Sequence, residues 1–153
     1  TGGYIGFSTD KDGYLVLTTS ATLGSQDARI FLTDDGGKNW NEIGNLNGIH
    51  DIIVTGAGFA SAQTGFISYR YYVDSGPAIW WTTDRGKTWK RLEIKVPEQY
   101  HKEKYRFTPL SPKFDGLNGV YPITVIDQST ANYDETTIFM YSHDGGMSWS
   151  FSK

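Results

Sequence analysis

Ile79-Trp80-Trp81-Thr82-Thr83-Asp84-Arg85-Gly86-Lys87-Thr88-Trp89 reads as an apolar strand, a tight turn and a second strand opening on tryptophan. The pattern recurs at Ile30-Phe31-Leu32-Thr33-Asp34-Asp35-Gly36-Gly37-Lys38-Asn39-Trp40. It stands a third time at Ile138-Phe139-Met140-Tyr141-Ser142-His143-Asp144-Gly145-Gly146-Met147-Ser148-Trp149. Each copy has the form [Ser/Thr]-x-Asp-x-Gly-x-x-Trp. An aspartate at that place accepts backbone N–H groups across the turn, as in an Asx turn. The glycine two residues on suits a position with φ > 0. The tryptophan covers the hairpin with its ring and needs a partner for its N–H. Asp, Gly and Trp are therefore expected to hold one β-hairpin together, which makes the aspartates structural groups and not acids for catalysis.

Working outward, each box ends a longer unit. Phe7, Phe59 and Phe114 recur at intervals of 52 and 55 residues, followed in turn by Gly13-Tyr14, Gly65-Phe66 and Gly119-Val120-Tyr121. A period near 50 with several strands per unit is a propeller signature. The first unit predicts strands near 4–7, 14–19, 29–33 and 40–43. The second predicts them near 51–55, 65–72, 78–82 and 88–94. The third predicts 120–126, 137–142 and 148–151, with a first strand somewhere before Phe114. These runs are rich in Ile, Val, Thr, Tyr, Phe and Trp, which fit a pleated, half-buried surface. The expected fold is all-β: one propeller segment over residues 1–153, with three consecutive four-stranded blades at approximately 1–47, 48–96 and 105–153. Segment 95–113, with Pro97, Pro109 and Pro112, reads as a long loop between blades.

The boxes resemble the Asp-box, or bacterial neuraminidase repeat, signature. The resemblance rests on Thr33, Asp35, Gly37 and Trp40, on Thr82, Asp84, Gly86 and Trp89, and on Ser142, Asp144, Gly146 and Trp149. It implies a β-propeller with one box per blade on the outer hairpin. The family includes sialidases, sortilin-type sorting receptors and photosystem II assembly factors, so the resemblance implies a fold and leaves the activity open. Propellers close with 4–8 blades. Three blades imply an incomplete ring, completed by further blades or by a second copy in a homodimer.

Composition narrows the partners. A net charge of −3 gives no reason to expect nucleic acid. With no cysteine there is no disulfide, thiolate metal site or thiol nucleophile. No apolar run approaches the ~18–20 residues of a membrane span, so membrane insertion is not expected. A bacterial, secreted protein is expected, extracellular or at the cell surface, with any signal peptide lying outside these residues. His50, His101 and His143 lack metal-ligand spacing, and no metal or cofactor is expected. Gly56-Ala57-Gly58 resembles a dinucleotide-binding turn but leads into another strand instead of a helix. Asp10-Lys11-Asp12-Gly13 reads as a hairpin turn, since it lacks the remaining ligands of a calcium loop.

A sialidase-like hydrolase requires three arginines around a substrate carboxylate, with a Tyr/Glu pair. The five arginines here, Arg29, Arg70, Arg85, Arg91 and Arg106, are scattered. Tyr105-Arg106-Phe107-Thr108-Pro109 departs from the sialidase Arg-Ile-Pro motif by an extra residue and by its late position, so no catalytic residue is assigned. Arg70 stands among aromatic residues, where it can stack or bind a carboxylate bidentately. The loops expected on the face opposite the boxes carry Tyr72, Asp74, Tyr100, His101, Arg106, Asp127 and Tyr133, with Arg70 nearby. Those residues are the expected ligand contacts. The expected function is a non-catalytic binding or scaffold module for protein, peptide or glycan. The alternatives are part of a sialidase-like glycoside hydrolase and an assembly factor for a membrane complex.

Overall fold

The computed structural model describes residues 2–45, 52–70 and 76–153. They form three four-stranded antiparallel sheets, set side by side as propeller blades. Blade 1 holds β1 (Gly2–Phe7), β2 (Gly13–Thr18), β3 (Ala28–Thr33) and β4 (Asn41–Asn45) in that order. Blade 2 repeats the meander with β5 (Val54–Phe59), β6 (Gly65–Tyr69), β7 (Ala78–Thr82) and β8 (Lys90–Arg91). Blade 3 is built on β11 (Asn118–Asp127) and β12 (Glu135–Ser142). Two short strands, β9 (Tyr105–Pro109) and β10 (Lys113–Asp115), share the other side of β11.

The recurrence of Phe and Gly has a steric cause. Phe7 pairs with Gly13, Phe59 with Gly65 and Phe114 with Gly119. In each pair the ring covers the glycine so closely that an added Cβ would lie 2.4–2.6 Å from it. The same glycines pair on their other side with Thr33, Thr82 and Ser142, the first box residues. One lateral row thus ties the start of every box to the Phe of its own blade, which locks the register of three strands at once.

Strand alternation gives each blade two faces. The back face of blade 1 (Tyr14, Val16, Ile30, Leu32) packs on the front face of blade 2 (Ala57, Phe59, Ile67, Tyr69). The back face of blade 2 (Phe66, Ile79, Trp81) packs on the front face of blade 3 (Tyr121, Ile123, Val125, Met140). At the second seam the Phe66 ring stacks on Trp81 and Phe114 and meets Tyr121 and Trp149 edge-on, with centroids 5.6–6.0 Å apart.

The expected three-blade architecture is present, with several corrections. Segment 95–113 is not a plain loop: it contains a 3-10 turn (Glu98–Tyr100) and β9. The first strand of blade 3 is therefore split around Pro109-Leu110-Ser111-Pro112, where two prolines remove ladder donors. The first strand of blade 2 begins at Val54, not near residue 51. The fourth strands shrink outward, to two residues in blade 2 and to a single bridge, Tyr141 to Ser150, in blade 3. Among the described residues no helix is long and apolar enough to cross a membrane.

Candidate functional site

The geometry of the box turns removes their aspartates as reactive groups. In blade 2 the Thr82 hydroxyl donates to Asp84 Oδ1 at 2.7 Å and accepts the Gly86 N–H at 2.9 Å. Asp84 also accepts the Thr88 N–H at 2.9 Å and the Thr88 hydroxyl at 2.5 Å. Trp89 Nε1 donates to the Gly86 carbonyl at 3.1 Å. Blade 3 repeats every bond with Ser142, Asp144, Gly146, Ser148 and Trp149. Blade 1 repeats the Thr and Asp bonds with Asn39 in the place of Thr88. Hydrogen bonds to the ionised form lower the carboxyl pKa. Asp84 and Asp144 fall to about 2, chiefly through the Thr88 and Ser148 side chains, and Asp35 falls to about 2, chiefly through the Asn39 N–H. Gly37, Gly86 and Gly146 have φ of 81–87°, the left-handed region that the box glycine was expected to supply.

A second, unlike arrangement lies at the other end of the strands. There β5, β9, β11 and β12, with Arg70 just past the end of β6, leave a groove of about 500 Å³ between blades 2 and 3. Thr55, Arg70, Thr108, Ile126, Gln128, Tyr133 and Glu135 line it. The lining combines one cation, one carboxylate, an amide, two hydroxyl residues and an apolar patch. Tyr133 stands on the β11–β12 turn with φ of 52°, its N–H donating to Thr130 O at 3.2 Å. That turn leaves its ring exposed at the rim.

The expected contact residues separate. Arg70 lines the groove. Asp127 closes a turn instead: it accepts Lys104 Nζ at 2.7 Å and the Ser129 N–H and hydroxyl at 2.9 and 2.6 Å. Those bonds, Lys104 first, hold its pKa at about 2. Arg106 Nη1 donates to the carbonyls of Glu103 and Tyr105. Tyr100 packs edge-on against Tyr105 at 5.2 Å, and His101 Nε2 meets Val96 O at 2.7 Å. The structure thus gives these four a local bonding role around β9. Tyr72 and Asp74 lie outside the described residues. Thr55, Thr108, Ile126, Gln128 and Glu135 were missed, since they come from four separate stretches that only the blade seam brings together.

The remaining arginines are dispersed. Arg29 lies 3.9 Å from Glu42, Arg85 lies 3.9 Å from Asp34, and Arg91 sits over the Trp80 ring at 5.5 Å. Among the described residues no three His, Cys, Asp or Glu gather as a metal site.

The BNR/Asp-box repeat model matches residues 140–151, the third of these turns. This chain carries the Asp-box repeat. The first two boxes share its residue pattern and the bonds of its hydroxyl and its aspartate. No curated protein matches the chain. Among solved structures it is similar to one described as YCF48 bound to D1 peptide, at 19% identity and a TM-score of 0.46. The match covers 96% of this chain and 38% of that one, so this Asp-box chain spans well under half of that structure's length.

Proposed function

We propose that this Asp-box chain is a non-catalytic binding module that holds an extended peptide or protein segment on the face remote from the boxes. The groove between blades 2 and 3 carries the reading. Its hydroxyls and the Gln128 amide suit main-chain donors and acceptors, while Ile126 and Tyr133 offer apolar contact. Arg70 and Glu135 place both charge signs on one lining, as a peptide of mixed side chains requires. A sialidase-like site is disfavoured by the arginines, whose contacts tie Arg29, Arg85, Arg91 and Arg106 to separate parts of the blades.

The test starts from peptides selected on the intact chain by display, with affinity read by fluorescence anisotropy. Arg70→Ala and Tyr133→Ala are expected to weaken binding about tenfold or more, as for central interface contacts, while the melting temperature stays close to that of the parent. Selected peptides that keep full affinity for both variants, or that map to the box turns, overturn the reading. Hydrolysis of a sialoside by the chain would favour the glycosidase.

A further inference from the structure

An aspartate followed by glycine is a weak step of the main chain, because glycine has no Cβ to hinder attack by its nitrogen on the aspartate side chain. The sequence holds four such steps: Asp12-Gly13, Asp35-Gly36, Asp115-Gly116 and Asp144-Gly145. In three of them the reacting atoms are engaged. Gly13 lies in the β2 ladder under the Phe7 ring, and Asp12 Oδ2 accepts the Thr9 hydroxyl at 2.8 Å. The Gly36 N–H donates to Lys11 O and the Gly145 N–H to Leu117 O, both at 2.9 Å. Their aspartates are the box carboxylates Asp35 and Asp144, each held by main-chain and side-chain donors. Asp115-Gly116 differs on each count. It stands at the two-residue turn between β10 and β11, with both residues exposed. Among the described residues the Asp115 carboxylate has no hydrogen bond or ion pair, and the Gly116 N–H has no acceptor. Gly116 has φ of 58°, and the place where a Cβ would stand is open. β10 is three residues long, so few ladder bonds resist a local opening of the turn.

We propose that Asp115 is a site of spontaneous isomerisation to isoaspartate in the folded chain. In the first step Gly116 N attacks the Asp115 carboxyl carbon, Cγ. The new N–Cγ bond closes a cyclic imide, and the amide proton leaves with the carboxyl hydroxyl as water. In the second step water adds to the main-chain carbonyl carbon of Asp115 and breaks its bond to Gly116 N. The chain then runs through Cγ, and the former carbonyl is a free carboxylate. Water is the only co-reactant, it leaves and returns, and nothing is oxidised or reduced. The product lengthens the main chain by a methylene at the end of β10. The turn that it enters is tied to the third box at two places: Leu117 O accepts the Gly145 N–H at 2.9 Å, and Asn118 Oδ1 meets His143 Nδ1 at 2.9 Å. The first bond is a feature of every blade, as Gly36 N–H to Lys11 O and Arg85 N–H to Gln63 O. A displaced β10–β11 turn therefore loosens the box of blade 3 and leaves the other two boxes intact. The site lies at the box end of the strands, so the change is separable from peptide binding in the groove.

The test ages the folded chain, and the chain unfolded in guanidinium, at neutral pH in water enriched in oxygen-18. Peptide mapping with an endoproteinase that cuts before aspartate but not before isoaspartate then locates each converted step. The unfolded chain is expected to convert all four Asp-Gly steps at comparable rates. The folded chain is expected to convert Asp115 about tenfold or more faster than Asp12, Asp35 or Asp144, since those steps must first break their hydrogen bonds. Deamidation at Asn47 or Asn118, each also followed by glycine, changes the peptide mass differently and is read apart. Chain enriched in isoaspartate at position 115 is expected to melt at a lower temperature than fresh chain. Asp115→Glu, which would have to close a larger ring, is expected to stay unconverted at that step and to keep its own melting temperature on ageing. Folded chain in which Asp12, Asp35 or Asp144 converts as fast as Asp115 overturns the proposal, as does an Asp115 that converts only when the chain is unfolded. A melting temperature indifferent to conversion at Asp115 overturns the coupling of that turn to the third box.

Discussion

At the residue scale, the box aspartate is a hydrogen-bond hub whose ionised form the fold requires. Asp35, Asp84 and Asp144 are held at about 2, against an ordinary value of 3.8. At pH 5 and above these carboxylates are ionised in both the folded and unfolded chain, and their contribution to stability is complete. As pH falls below 3.8 the unfolded chain takes up protons first, so stability declines, and this contribution is gone once pH has passed through about 2. Thermal melts between pH 5 and pH 2 are expected to show the midpoint falling over that window. Asp84→Asn is expected to lower the midpoint at pH 5 and to flatten the acid slope. An unchanged slope in Asp84→Asn would mean that the turn does not draw on the charge. The left-handed position before the box glycine is less demanding, for it is Gly36 and Gly145 in two blades but Arg85, with φ of 62°, in the other.

At the element scale, the split first strand of blade 3 is the least regular piece and the most specifically bonded. Its Pro109 and Leu110 carbonyls accept Thr55 Oγ1 at 2.6 Å and Ser68 Oγ at 2.7 Å, and Ser111 Oγ accepts the Ala57 N–H at 3.1 Å. Gly56 and Gly58 allow this approach: an added Cβ at Gly56 would lie 2.3 Å from the Leu110 backbone. Gly-Ala-Gly, which mimics a nucleotide-binding turn in the sequence, is thus a flat bed for the neighbouring strand. Ser68 is fully buried and also meets the Tyr121 hydroxyl at 2.6 Å. Ser68→Ala leaves the Leu110 carbonyl and the buried Tyr121 hydroxyl without this partner and is expected to cost ~1–3 kcal/mol by chemical denaturation. Tyr121→Phe made in the Ser68→Ala background is expected to cost less than in the parent, because the orphaned hydroxyl is gone. Strict additivity would show that the two hydroxyls are not coupled. The boxes, the three-blade period and the blade cores were legible because their determinants are local: a turn signature, a Phe six or fewer residues before its Gly, and alternating apolar runs. The strand β9 was not, because two prolines and a charged stretch mask a segment whose partners lie on β11 and β5. The groove was legible only at Arg70 and Tyr133, the lining residues that the sequence already set on the face opposite the boxes.

At the scale of the whole molecule, burial is unequal among the blades. Every residue of β6 is buried, since blade 2 is covered on both faces. In β1 every second residue is exposed, because among the described residues no other blade meets the front face of blade 1. Local opening follows the number of apolar contacts an element would lose, so opening free energies should be graded across the three sheets. Native-state hydrogen exchange is expected to be slowest at the ladder amides of Gly65–Tyr69 and Ala78–Thr82, intermediate in β11, and fastest in β1. Phe66, with rings of blade 3 on its far side, and Ile67, packed toward blade 1, make β6 the strand whose release dissolves both seams. Equal protection in all three sheets at high dilution would show that the blades unfold as one unit and that coverage on two faces gives blade 2 no additional stability.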